Sequence, residues 1–107
     1  MMVRIAEIEV IPEFLEEYSV ILKEEAAASV NIEKGVIAIF PMFQEENPTQ
    51  IRLVEIYFNH AAYEAHLKTP HFLHYKTSTQ HMIKSLKLID MKSLDTETMP
   101  LIFEKLK

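Results

Sequence analysis

A chain of 107 residues with a formal charge of −5 has room for one domain and a real core, not for two domains. The acidic balance argues against nucleic acid and anionic membranes as main partners, since both require a basic face. The absence of cysteine excludes disulfides, thiolate catalysis and cysteine-bound metal clusters, and a single glycine excludes a glycine-rich phosphate loop.

Residues 3–10 read as a first strand, rich in β-formers with Arg4, Glu7 and Glu9 interspersed. No leader is expected, because Met1 and Met2 run straight into this pattern. Pro12 suits the first position of a helix, and Glu13, Glu16 and Glu17 favour its positive end. Spacings of three and four put Phe14, Leu15, Tyr18, Ile21, Leu22 and Ala26 on one stripe, which predicts a helix over residues 12–31. Gly35 marks the exit into a second strand over residues 36–43. Asn47-Pro48 signals a turn within residues 44–50, and a third strand over 51–58 completes a hairpin.

Asn59 is placed to cap a short helix over 60–68, and Thr69 to cap another that opens with Pro70. The second of these carries a stripe of Phe72, Tyr75, Thr79, Met82, Ile83 and Leu86. A fourth strand is expected over 87–94. Residues 95–107 form an extension that is expected to add a short strand or cross to a partner, since Leu101, Ile102, Phe103 and Leu106 are apolar. No apolar run approaches the roughly 20 residues of a membrane span, and a cytoplasmic location is expected.

The order β-α-β-β-α-β predicts a single α+β domain over residues 1–107. It is of ferredoxin-like topology, with a four-stranded antiparallel sheet and a core over about 3–94. Helices cover one face of such a sheet, and the other is commonly polar. Here Val36, Ala38, Phe40 and Met42 alternate with Ile37, Ile39 and Phe43, so both faces of the second strand are apolar. In the third strand Leu53 and Tyr57 lie on one face, and Val54, Ile56 and Phe58 on the other. A second copy pairing through the sheet faces is the simplest cover, so a homodimer is expected; a large hydrophobic ligand on a monomer is the alternative.

Helical geometry sorts the histidines. His74 and His81 fall on the far side from the Phe72–Tyr75–Met82 stripe, whereas His66 and His71 lie on or beside apolar faces. These two are the candidates for a proton acceptor, against the plain alternative of half-buried histidines bonded to the backbone. Their spacing matches no zinc motif, so a metal site is not expected. Glu25 falls inside the stripe of the first helix, where a carboxylate would have a raised pKa or a partner and could suit a general base. Against that, the helix end is expected to rise clear of the core and carry it into water. Glu55 and Tyr57 share a face of the third strand. Facing a partner sheet, they would line an enclosed cavity, with the Tyr57 hydroxyl free to bond a phenolic or quinone oxygen. The alternative is a structural pair bonded to the backbone or to the neighbourhood of Arg52 across the dimer.

The segment LVEIYFNHAAYEAHLKTPHF, residues 53–72, resembles the signature stretch of antibiotic biosynthesis monooxygenase domains, also described as quinol monooxygenases. The residues that carry the resemblance are Glu55, Tyr57, Tyr63, Glu64, His66, Thr69, Pro70, His71 and Phe72. The corner Glu33-Lys34-Gly35 is similar to the family's Glu-Pro-Gly, with lysine in place of proline. The resemblance implies a dimeric α+β barrel and oxidation of a hydrophobic phenol or quinol by oxygen without metal or flavin. It further implies His66 or His71 as base and Tyr57 with Glu55 beside the reacting oxygen. Phe72, Tyr63, Tyr75, Phe40 and Met42 would form the substrate walls. Two other readings stay open. One is isomerisation of a phosphorylated sugar-like molecule, for which Arg4, Arg52 and Lys68 are the cations at hand. The other is a dimer that binds a small ligand without turning it over.

Overall fold

The computed structural model describes residues 1–107. Four strands, β1 (Met2–Val10), β2 (Val36–Gln44), β3 (Asn47–Tyr57) and β4 (Ile83–Met91), form one antiparallel sheet in the order β2-β3-β1-β4. Helix α1 (Leu15–Ile32) joins β1 to β2. Helices α2 (His60–His66) and α3 (Pro70–Thr79) join β3 to β4, and α4 (Thr98–Glu104) follows the last strand. This is the expected α+β, ferredoxin-like architecture. No helix is long and apolar enough to cross a membrane.

The register assigns every strand residue to a face. Arg4, Ala6 and Ile8 of β1 stand opposite Glu55, Leu53 and Ile51 of β3 and opposite Asp90, Leu88 and Leu86 of β4. Ala6, Ile8, Val10, Ile39, Ile51, Leu53 and Tyr57 meet Tyr18, Leu22 and Ala26 of α1 in the core, so this face lies under the helices. The opposite face carries Ile5, Val54, Phe40 and Ile89, with Glu7 paired to Arg52 at 3.3 Å. β2 is an edge strand, which is why it tolerates Pro41, a residue without a ladder donor. Pro48 sits where the β2–β3 register shifts, so its missing N–H costs little there.

Three boundaries differ from the sequence expectation. Pro12–Phe14 forms a 3-10 turn before α1. The strands of the hairpin continue to Gln44 and from Asn47, which leaves only Glu45 and Glu46 between them. β4 begins at Ile83, not at residue 87, because α3 stops at Thr79 and a 3-10 turn follows. The Thr79 hydroxyl bonds back to the Tyr75 carbonyl at 2.7 Å, and Ile11 N–H donates to Met82 O at 2.9 Å, pinning the exit to β1. Ile83 and Leu86 fit a helical stripe by spacing, but strand pairing with Val10 and Ile8 claims them. The extension forms α4, not a strand, and Leu101, Ile102 and Leu106 are exposed on it.

Gly35 has no left-handed backbone; its requirement is space. A Cβ there would stand 2.5 Å from the Ala62 Cβ, where β2 and α2 meet. Gly35→Ala is therefore expected to cost about 1–3 kcal/mol of unfolding free energy. Most of it should return in the Gly35→Ala/Ala62→Gly double variant. Denaturant melts of the four proteins check this, and additive losses would contradict it.

Candidate active site

The helix-side face of the sheet does not pack flush against the helices along its whole length. Between it and α1, α2 and α3 lies a cavity of about 610 Å³. Its walls are mostly hydrocarbon: Ala6 and Ile8 of β1, Leu53 of β3, Leu22 of α1 and Phe72 of α3. On the β4 side Leu86 and Leu88 stay about half exposed, as does Leu73 of α3 across from them, and Lys76 and Lys84 also line this region.

The polar end is built by the α2–α3 junction. Asn59 caps α2 by accepting from Ala62 N–H at 2.8 Å. Thr69 caps α3 by accepting from Phe72 N–H at 3.2 Å, while its own hydroxyl donates to the His66 carbonyl at 2.8 Å. This double duty ties the last residue of α2 to the first turn of α3 and sets the His66 and His71 rings 6.2 Å apart. Both imidazoles converge on one carboxylate oxygen of Glu33, just past the end of α1. His66 Nδ1 lies 2.9 Å from it and His71 Nε2 2.6 Å. A carboxylate only accepts, so each of these nitrogens carries its proton toward Glu33. The remaining nitrogen of His66, Nε2, lies 3.4 Å from Glu25 Oε1. Ser29, one turn on along α1, donates to that same Glu25 oxygen at 2.8 Å.

Glu25 is buried, at 6 % exposure, and lines the cavity. The expectation that it reaches water fails because α1 remains helical to Ile32 and lies on the sheet beyond Glu25, burying Ser29 as well. Burial holds the Glu25 carboxyl above the ordinary carboxylate range, against the opposing pull of the Ser29 hydroxyl and of His66. The result is a chain of groups, His71–Glu33–His66–Glu25. Its two inner members, His66 and Glu25, face the cavity, and its outer members are only partly covered. A histidine locked by one carboxylate through Nδ1, with Nε2 beside a second carboxyl, is built to accept or pass a proton.

Of the other residues expected to act here, Glu55, Tyr63, Phe72 and Tyr75 line the cavity. Tyr57 does not. It is fully buried and its hydroxyl donates to Glu55 at 2.6 Å, so it orients Glu55 instead of meeting a ligand. Burial, and then the Glu55 charge, push the Tyr57 phenol far up. His71 stands behind Glu33, outside the cavity walls. Phe40 and Met42 are not walls at all. They pair with Val54 and Arg52 on the opposite face of the sheet, because a bulge after Val36 puts Ile39, not its neighbours, on the helix side. The Leu53–Glu55–Tyr57 face likewise looks at this chain's own helices, not at a partner sheet. Arg52 is held by Glu7 on the far face and Lys68 is exposed, so of the three expected cations only Arg4 reaches the cavity. Arg4 Nη1 donates to the Tyr63 hydroxyl at 2.6 Å, and its Nε bonds Asp90 at 3.0 Å.

Of the residues gathered at this end of the cavity, Glu33 was not foreseen, Glu25 was weighed as a base but expected in water, and Arg4 was expected only as a cation for a phosphorylated ligand. The one signal for Glu25 was its place within an apolar helical stripe; Glu33 stood out only as part of a corner.

The family model described as antibiotic biosynthesis monooxygenase matches residues 1–78 of the chain. Among solved structures, a candidate antibiotic biosynthesis monooxygenase from Bacteroides thetaiotaomicron is 42% identical. It superposes with a TM-score of 0.87 over 88% of this chain and 90% of that one. A candidate monooxygenase from Lactobacillus acidophilus is 30% identical, with a TM-score of 0.83, over 85% of this chain but 43% of its own. One from Nitrosomonas europaea, at 21% identity and a TM-score of 0.84 over 89% of this chain and 100% of that one, shares the fold. No curated protein matches the chain.

Proposed function

The chain belongs to the antibiotic biosynthesis monooxygenase family, and from that premise we propose that it oxidises a phenolic or quinol-type aromatic molecule with molecular oxygen. The observation that supports this most is the ending of the His71–Glu33–His66–Glu25 chain inside a cavity of otherwise apolar walls. Such a cavity takes up a flat hydrophobic ring and offers it one proton acceptor.

In this reading the substrate hydroxyl gives its proton to His66 Nε2. The electron-rich phenolate passes an electron to oxygen, and the resulting radical pair combines to form a carbon–oxygen bond. The O–O bond of that peroxide then breaks as the ring carbon loses its hydrogen. One oxygen atom stays as the new carbonyl, and the other leaves as water with the proton returned from the relay. A phenol and O₂ thus become a quinone and water, with all electrons drawn from the substrate. Glu33 holds His66 in the competent tautomer. Arg4 and Tyr63 stand ready to bond a developing oxyanion, and Phe72, Leu22 and Leu53 hold the ring. The apolar outer face of the sheet, with Ile5, Phe40, Val54 and Ile89, would be covered by a second copy, making the working unit a homodimer.

Oxygen consumption by the purified protein, given a panel of reduced quinols and phenols, tests the reading. Uptake above the spontaneous rate is expected, with one atom of isotopically labelled oxygen in the product. Spontaneous rates with every substrate, from protein that is folded, would overturn it and leave a ligand-binding dimer as the better account.

A further inference from the structure

We propose that Glu33, His66 and His71 form a binding site for a divalent transition-metal ion such as zinc. Their ligating atoms, Glu33 Oε2, His66 Nδ1 and His71 Nε2, all lie within 4.8 Å of one another. The two nitrogens stand 2.9 and 2.6 Å from the shared oxygen. Metal–ligand bonds of about 2.1 Å put neighbouring donors of one coordination sphere about 3.0 to 3.4 Å apart, so the Glu33 oxygen needs to draw back from each nitrogen by less than an ångström, and the two nitrogens already lie within 4.8 Å of each other. Two imidazoles and one carboxylate are the donor set that borderline ions prefer, with open positions left for water.

The surroundings supply a second, independent support. A metal-bound imidazole keeps a proton on its other nitrogen and normally donates it to a carboxylate, which orients the ring. His66 has that partner in place: Nε2 faces Glu25 at 3.4 Å, and Ser29 fixes Glu25 in turn. The site is also reachable, since Glu33 and His71 keep 12 and 16 % of their side-chain surface exposed while His66 is covered. It lies behind His66, outside the cavity, so the ion would touch no substrate in the cavity. Its effect would run through His66: with Nδ1 on the metal, Nε2 holds a proton and only donates. Occupancy of the site and proton acceptance by His66 therefore exclude each other.

Titration of the dialysed protein with zinc sulfate, followed by calorimetry and by the imidazole nitrogen resonances, tests the site. One saturable zinc per chain is expected, shifting His66 Nδ1 and His71 Nε2. Glu33→Gln and His71→Ala should each weaken binding tenfold or more, and Glu25→Gln by about 10–100-fold through loss of the orienting partner. His60→Ala, which removes the exposed His60–Glu64 pair, should leave affinity unchanged. Binding that survives Glu33→Gln and His71→Ala, or that vanishes with His60→Ala, would overturn the proposal, as would no saturable binding. Should a variant fail to fold, the resonances of the native protein decide alone: shifts confined to His60, His74 and His81 reject the site.

Discussion

His66→Ala is expected to lower oxygen-dependent turnover by about 10²–10⁴-fold, the usual worth of a positioned general base. His66 is the one histidine among the cavity walls, and its Nδ1 is already committed to Glu33, so Nε2 is the only nitrogen free to take a proton. His71→Ala should cost far less, because His71 acts on the substrate only through Glu33. Removing His66 also leaves Glu25 with Ser29 as its sole side-chain partner in a buried site, so His66→Ala should lose stability as well. His66→Gln separates the two effects. It keeps a hydrogen-bonding side chain of similar size but no basic nitrogen, so it should regain stability without regaining rate. Stopped-flow or electrode rates, paired with denaturant melts of the three variants, check this. A His66→Gln protein that turns over like the native one would remove His66 as the base.

Steep loss of stability above pH 10 is the second large effect expected. Three of the four tyrosines, Tyr18, Tyr57 and Tyr75, are held above the ordinary phenol value of 10.0, each chiefly by burial. Tyr18 and Tyr75 share a hydroxyl–hydroxyl bond of 2.6 Å, and Tyr57 donates to Glu55. A phenol with a raised folded value keeps its proton in the native state while the unfolded chain gives it up. Its contribution is therefore complete below pH 10 and declines as pH rises from there toward the folded value. Each such group removes up to about 1.4 kcal/mol per pH unit, so the three together remove about 4. Set against the 5–15 kcal/mol typical of a domain, that is decisive within two pH units. Phenolate absorbance from these residues should appear together with unfolding and not before it. Tyr18→Phe should remove about a third of the slope. Titration of all four phenols in a still-folded protein would contradict the account.

The fold was legible because its signals are local. Strand alternation, the stripe of α1 and the caps at Asn59 and Thr69 each depend on neighbours within a few residues, and each element formed where those signals lie. The exchange of Ile83 and Leu86 between helix and strand shows the limit: spacing alone suits both, and pairing with Ile8 and Val10, more than seventy residues away, made the choice.

The site was legible in part. His66 and Glu55 could be picked out by type and by the face of the element that bears them, whereas Phe72, Tyr63 and Tyr75 were pointed to by the family resemblance. What the sequence by itself determined is the order of elements, the apolar character of both sheet faces and the chemistry available in residues 53–72. What only the tertiary structure decided is which face encloses the cavity and which partners meet there. Phe40 and Met42 lost their place as walls through the bulge in β2. Tyr57 lost its free hydroxyl to Glu55, two residues away in its own strand. Glu33 met His66 and His71 across separations of 33 and 38 residues, and Glu25 was buried on α1 at the cavity. The physical reason is common to all four. Burial and hydrogen-bond partnership are properties of distances in space, set once the helices settle on the sheet, and no periodicity along the chain encodes them.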